Sequence, residues 1–387
     1  MKRGATGRFV PALGLGDGVR AFIPDALPPT PPLQMGEALR RVLDRAHLAL
    51  GRLDGVSGVL PITQLFLYMY VRKEAVLSSQ IEGTQSSLSD LMLFELDELP
   101  GVPFDDVVEV SSYVAALDHG LKRLREGFPL SSRLLREVHE VLLSRGRGNT
   151  KAPGEFRRSQ NWIGGSRPET AVFIPPPPAE LESLMGDLER FLNEDAVQTS
   201  TLVKVALAHV QFETIHPFLD GNGRVGRLLI PMLLCHEGVL REPLLFPSLY
   251  FKQNRARYYE LLNRVRSDGE WEEWVEFFAQ GIEQTANSAV ATAQRMNEMA
   301  QADRDSIQKA GRVVGSSLQV HSALLSRPLN TIARLSQDTR LSVPAVTNAL
   351  GALMDLNLVT ETTGRRRGRI FAYGPYLDLL KQGTEPI

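Results

Sequence analysis

The segment TIHPFLDGNGRVGRLLIPMLL, residues 214–234, joins two apolar runs through a link that carries far more polar chemistry than a turn needs. A histidine closes the first run, an acid follows within four residues, and the motif GNGR opens the second run. The pattern predicts a helix starting near Asn222, whose first backbone N–H groups have no partners inside the helix. Gly221 and Gly223 remove side-chain bulk, so those N–H groups can close on a phosphate with the helix dipole behind them. Arg224 and Arg227, three residues apart, fall near one face of the first turn and can clamp phosphate oxygens. Asp220 supplies a hard oxygen ligand for Mg²⁺. His216 can take a proton from an attacking hydroxyl at neutral pH, and Phe218 is expected to point inward and anchor the link. Together the parts fit group transfer from a nucleoside triphosphate to a hydroxyl. The order GxxxxGK[ST] is missing, which disfavours a P-loop ATPase.

The remainder of the chain sets bounds on this reading. Its 387 residues predict two or three domains. Hydrophobic content of 43% and charged content of 23% are those of an ordinary globular protein. A net charge of −2 argues against an overall electrostatic grip on nucleic acid and leaves room for a local basic patch. A single cysteine, Cys235, excludes an intrachain disulfide. The N-terminal residues lack an apolar signal core, and no apolar run is long enough to cross a bilayer, so no membrane partner is expected and a cytoplasmic enzyme or regulator is the default.

Residues 1–33, rich in Gly and Pro, read as an extended arm. Helical periodicity then dominates to about Gly148. NWIGGSRPETAVFIPPPP, residues 161–178, reads as a short hairpin around Gly164 and Gly165, ended by Pro175–Pro178. Helices resume after it, and NEMAQADRDSIQKAGR reads as a linker helix. The expected division is an N-terminal arm and helical region over 1–105, a helical core over 106–285, a linker over 286–312 and a smaller unit over 313–387.

HPFLDGNGRVGR, residues 216–227, resembles the signature of the Fic (Fido) family, HPFx[DE]GNGRxxR, with no departure at a fixed position. The resemblance covers roughly residues 10–285. It implies a mainly α fold, a Fic-type helical core with a short β-hairpin flap, and transfer of AMP from ATP to a Ser, Thr or Tyr hydroxyl of a target protein, the chain itself included, with release of pyrophosphate. By the family pattern His216 is the general base and Asp220 the Mg²⁺ ligand. Gly221, Asn222 and Gly223 form the anion nest, and Arg224 and Arg227 hold the phosphate chain. Gly223, in place of a bulkier lysine-bearing loop, argues for AMP transfer over phosphorylation. Asn254, in FKQNRARYYELL, is the expected adenosine-side contact. Tyr258 and Tyr259 beside it read as either core or nucleotide contacts.

Upstream, SSQIEG fits the family's inhibitory pattern [ST]xxxE[GN] with Ser78, Glu82 and Gly83. Ser78 and Glu82 lie one helical turn apart and can face one site, with Gly83 ending the element. In the family this glutamate pairs with the second arginine of the signature, here Arg227, and prevents productive seating of the γ-phosphate. In the flap, Trp162, Ile163 and Gly164 are the expected edge for pairing with an extended target segment; a surface hairpin packing Trp162 and Ile163 on the core is the plainer alternative.

From about Gly315 three helical segments in helix-turn-helix order precede TETTGRRRGRIFAYG, a hairpin whose turn carries Arg365, Arg366, Arg367 and Arg369. This resembles a winged helix, with Ser342–Val359 as the recognition helix and Arg365, Arg366 and Arg367 placed for DNA phosphates or for an acidic docking partner. Two rivals to AMP transfer follow: a hydrolase in which Glu82 orients water to remove AMP, and a DNA-binding regulator whose Fic core senses nucleotide. A homodimer is compatible with each.

Overall fold

The computed structural model describes residues 3–12, 14–16, 18–59, 63–96, 102–146, 148–194, 199–311, 313–381 and 383–385. Arg312, the last residue of the expected linker, lies outside them. The chain is mainly helical. An antiparallel hairpin, β1 (Gly7–Pro11) and β2 (Arg20–Pro24), comes first. It replaces the extended arm expected there, because alternate residues of β2 find apolar neighbours: Phe22 packs edge-on against Phe173, and its N–H donates to the Ile174 carbonyl at 2.9 Å. Then follow α1 (Glu37–Val59), α2 (Thr63–Ile81), α3 (Leu88–Phe94), α4 (Phe104–Arg125), α5 (Ser132–Leu142), α6 (Leu181–Asn193), α7 (Thr201–Ile215) and α8 (Asn222–His236). Next come α9 (Ser248–Gln253), α10 (Arg255–Asp268) and α11 (Trp271–Lys309).

The core gathers around α7 and α8. Every residue of α7 from Leu202 to Ile215 is buried, as expected of a helix apolar on all sides. Ser200 starts it by accepting the Val203 N–H. It ends at His216, whose left-handed backbone (φ 50°) and following Pro217 stop the helix. Gly221, also left-handed (φ 76°), then caps α8, so the link turns sharply between two buried helices.

Two stretches differ from the sequence reading. The expected linker does not separate from the core: α11 runs unbroken for 39 residues through the boundary drawn at 285/286. Ala286, Ala289, Ala293, Met296, Ala300 and Ile307 stay buried along it, and α1 packs against it, so apolar spacing continues where polar composition suggested a break. The hairpin expected over 161–175 reduces to a single bridge, Ile163 to Phe173, with a 3-10 turn at Pro168–Thr170. Left-handed Gly164 and Gly165 and a proline without an N–H leave no ladder to extend.

The C-terminal residues form α12 (Val314–Ser326), β3 (Leu329–Thr331), α13 (Ile332–Thr339), α14 (Val343–Asp355), β4 (Thr360–Glu361) and β5 (Ile370–Ala372), with β5 central in a three-stranded antiparallel sheet. A last helix, α15 (Gly374–Lys381), packs against α2 and α11. Among the described residues no helix is long and apolar enough to cross a membrane.

Candidate active site

The link between α7 and α8 is held as one rigid piece. Phe218 is fully buried and stacks on the His139 ring at 3.7 Å with the planes 5° apart. Asn222 spends its side chain on Phe218, accepting the N–H at 2.8 Å through Oδ1 and donating to the carbonyl at 2.8 Å through Nδ2. It is a clamp for the turn rather than a side-chain ligand. The Gly221 N–H donates to Asp220 Oδ1 at 2.6 Å, so this amide is not available to an anion nest. The first bond of α8 runs from the Val225 N–H to the Gly221 carbonyl. The N–H groups of Asn222, Gly223 and Arg224 are therefore the ones left open at the helix end.

Over this end lies the carboxylate of Glu82. A Cβ added at Gly223 would come within 2.2 Å of Glu82 Oε1, so only glycine leaves room for it. Oε1 accepts from Arg227 Nη2 at 2.7 Å, while Ser78 holds the same guanidinium through its hydroxyl (Nε, 2.8 Å) and its carbonyl (Nη2, 3.0 Å). Arg227 is 1% exposed and the Glu82 side chain 37%, so the pair is a buried cation closed by a carboxylate at the surface. Burial alone would raise the Glu82 carboxyl; the Arg227 charge and hydrogen bond outweigh it and keep it below the usual carboxylate range. Gly83, with φ 98°, follows directly and turns the chain away.

Arg224 is buried beside Glu109 (3.5 Å) and Asp220 (3.4 Å), and its Nε and Nη1 have no hydrogen-bond partner. Unspent buried guanidinium donors beside open helix N–H groups suit a polyphosphate. No cluster of three metal-ligating side chains occurs among the described residues. A magnesium ion here would rest on Asp220 together with substrate phosphates, the usual mode for that ion.

His216 closes α7 with its Nδ1 buried and without a hydrogen-bond partner. Burial, with Arg157 and Arg266 nearby, pushes its imidazole down to about 3. Asn254, at the junction of α9 and α10, donates its side-chain amide to the Tyr250 carbonyl at 2.9 Å, closing α9. Tyr258 is core, with its hydroxyl on His209 Nε2 at 2.8 Å. In the flap, the Ile163 N–H donates to the Phe173 carbonyl, and the Ile163 carbonyl accepts the N–H groups of Val172 and Phe173.

Several residues here escaped the sequence reading. His139 donates from Nε2 to the Asp220 carbonyl (3.0 Å) and accepts the Gly154 N–H (2.9 Å). His209 lies between Phe251 and Trp274 and holds the Gly226 carbonyl at 2.9 Å. Glu213 is buried with a raised carboxyl, near 7, chiefly through burial. Arg157 is buried and donates to the His216 carbonyl (3.0 Å), the Pro176 carbonyl (2.5 Å) and the Ser159 carbonyl (3.3 Å), tying the flap to the link. None sits in a local motif.

The Fic/DOC family N-terminal pattern matches residues 40–122 and the Fic/DOC family pattern matches residues 129–234. The chain thus carries a Fic/DOC N-terminal domain followed by a Fic/DOC domain. The protein adenylyltransferase Fic of Drosophila erecta is 41% identical over 133 residues, 34% of this chain and 24% of that protein. The protein adenylyltransferase Fic of Drosophila melanogaster is 33% identical over 210 residues, 53% of this chain and 39% of that protein. The chain thus spans well under half the length of these curated relatives. Among solved structures, a Fic family protein from Desulfovibrio desulfuricans shares the fold (TM-score 0.57, 20% identity, covering 89% of this chain and 98% of that one). A Fic-domain-containing signaling protein from Bacteroides thetaiotaomicron does so over a shorter span (TM-score 0.52, 19% identity, 65% of this chain and 97% of that one).

Arg157→Ala should strip three carbonyls, that of Pro176 buried, of their donor and loosen the turn at His216. The expected loss is on the order of 3 kcal/mol of stability, read as a lowered thermal midpoint. Arg157→Lys should recover little of it, since an ammonium cannot span the same carbonyls. A full recovery would show that charge alone, and not the forked geometry, holds the turn.

Proposed function

We propose that the protein is an ATP- and Mg²⁺-dependent protein adenylyltransferase of the cytoplasm, held inactive by its own Glu82. The observation that carries this reading is the seat of the Glu82 carboxylate, over Gly223 at the open end of α8 and on Arg227. A helix N-terminus with a buried guanidinium is an anion site, and here a side-chain anion fills it.

In the reaction, the target hydroxyl oxygen bonds to the α-phosphorus of ATP, the α–β phosphoanhydride bond breaks, and pyrophosphate leaves. The hydroxyl proton passes to His216. The Asn222, Gly223 and Arg224 N–H groups and the Arg224 side chain receive the phosphates, and Arg227 receives the γ-phosphate once Glu82 leaves it. Asp220 would hold Mg²⁺, which neutralises charge on the phosphate chain. Trp162 and Gly164 offer backbone groups to an extended target segment, which sets the hydroxyl in place.

The C-terminal order helix, strand, helix, helix, strand, strand supports a winged helix with α14 as its recognition helix. Arg365, Arg366 and Arg367 lie exposed on the loop between β4 and β5 and suit DNA phosphates. Replacing all three by Ala should reduce the dependence of DNA binding on salt by a slope of about 0.9 per lost phosphate contact. If the wild-type chain shows no DNA binding at low salt, the unit docks on protein instead.

Glu82→Gly should raise self-labelling from labelled ATP by about 10²-fold, because a misplaced reacting phosphate costs about that much. Arg227→Ala in the same chain should cancel the gain, and His216→Ala should remove labelling while nucleotide still binds. Equal or lower labelling in Glu82→Gly overturns the brake and leaves AMP removal as the role for Glu82.

The depressed His216 makes a second prediction. An ordinary histidine base loses activity as pH falls through about 6.5. Here the folded value lies far lower, so the ring stays neutral and labelling by Glu82→Gly should hold level from about pH 7.5 to about 5.5. Removing Glu82 also removes a charge that favours the protonated ring, which acts in the same direction. A midpoint near 6.5 in the rate profile would refute a neutral buried base.

A further inference from the structure

The inhibitory element is bound from behind by the end of the chain. Gln80, between Ser78 and Glu82, is 2% exposed, and its amide donates to the Ser86 carbonyl at 2.9 Å and to the Thr384 carbonyl at 2.8 Å. Its Oε1 accepts from Lys252 at 2.7 Å, and that lysine also donates to the Glu385 carbonyl. The Glu385 charge acts on both Lys252 and Lys73, which come from α9 and α2. Gly383 is left-handed (φ 81°), and a Cβ there would meet the Leu249 side chain at 2.8 Å, so the tail lies close on α9. Thr384 is buried. Ahead of the tail, α15 packs on α2 and α11, and α12 also touches α2.

We propose that residues 383–385 are a strap that holds the C-terminal end of α2, and with it Glu82, over the anion site. The surface made by Gln80, Lys252, Lys73 and Leu249 is fitted to backbone carbonyls and one carboxylate, and its occupant is the segment 383–385 of this same chain. The turn that carries Glu82 has few bonds of its own: the Glu82 N–H goes to the Ser79 carbonyl, the Gly83 N–H to the Gln80 carbonyl and the Thr84 N–H to the Ser79 carbonyl. Besides Ser78 and Glu82, which Arg227 holds, Gln80 is a side chain through which another element grips this turn. Whatever draws the C-terminal unit away, whether DNA or a docking protein, pulls the strap and frees Glu82 from Arg227. This deepens the proposed function and rests on Glu82 being its brake.

The test compares the wild-type chain, a chain ending at Lys381, the full-length Gly383→Val variant, Lys252→Ala and Glu82→Gly. Two readouts are taken on each: hydrogen exchange at the amides of residues 82–84, and self-labelling with labelled ATP and Mg²⁺. Loss of the strap should speed exchange by about tenfold, as expected when one or two hydrogen bonds no longer resist local opening. It should also raise labelling part of the way toward the Glu82→Gly level. Gly383→Val keeps the full chain and should act in the same direction as the truncation, which separates loss of the strap from loss of fold. Unchanged exchange in both overturns the strap. Faster exchange with wild-type labelling, while Glu82→Gly is active, overturns its regulatory role and leaves the brake intact. No gain in Glu82→Gly overturns the brake itself, and the exchange rates alone then decide whether the tail grips α2.

Discussion

A guanidinium almost wholly removed from water is the constraint around which this molecule is arranged. Arg227 is 1% exposed, and a buried cation without a counterion is strongly unfavourable. Three carboxyl groups act on it. Glu74 and Glu213 are so deeply buried that their carboxyls are pushed up to about 7, and both give up much of their charge. Glu82 is the one whose carboxyl is held below the usual range, so it supplies the negative charge. When it withdraws, the arginine needs another anion, and a phosphate at the open end of α8 meets that need. Competition between carboxylate and phosphate follows from the burial of one cation.

The same cation binds two distant parts of the chain. Ser78 and Glu82 come from α2 and Arg227 from the first turns of α8, 145 residues after Glu82. Behind α2, the Glu74 carboxylate takes the Ser248 hydroxyl and the Tyr113 hydroxyl, joining α2 to α9 and α4. α2 is thus fastened on the side away from the open end of α8 as well as at it, and the buried contacts of Gln80 join it to residues 384 and 385 through Thr384 and Lys252.

The left-handed turns at His216 and Gly221 set the geometry of the link, and their supports come from elsewhere in the fold. His139 lies under Phe218, Arg157 holds the His216 carbonyl, and His209 holds the Gly226 carbonyl at the start of α8. Rigid support of this kind keeps open helix amides and a histidine in fixed relation, which pre-organised electrostatic catalysis requires. It also explains a neutral His216, since the apolar and cationic surroundings that fix the ring disfavour its protonated form.

Local chemistry was enough to read the link from the chain alone. A histidine, an acid, two glycines and two arginines in that order between apolar runs have few physical uses, and the helix start at Asn222 follows from Gly221 just before it. Ser78 and Glu82 were legible for a similar reason, because helical spacing puts them on one face. Tertiary structure decided the rest. The Gly221 amide looks like an anion ligand in sequence, yet it donates to Asp220, and the Asn222 side chain clamps Phe218 while its own N–H stays open; only folded distances reveal this. The flap reads as a hairpin, but left-handed glycines and the nine residues between Ile163 and Phe173 leave a single bridge. The polar stretch after Met296 reads as a linker by composition, yet Ala300 and Ile307 are buried along it within α11. Arg157, His139 and Gln80 carry no signature at all, since their partners are backbone carbonyls and amides, which every residue possesses and which only the fold brings within reach.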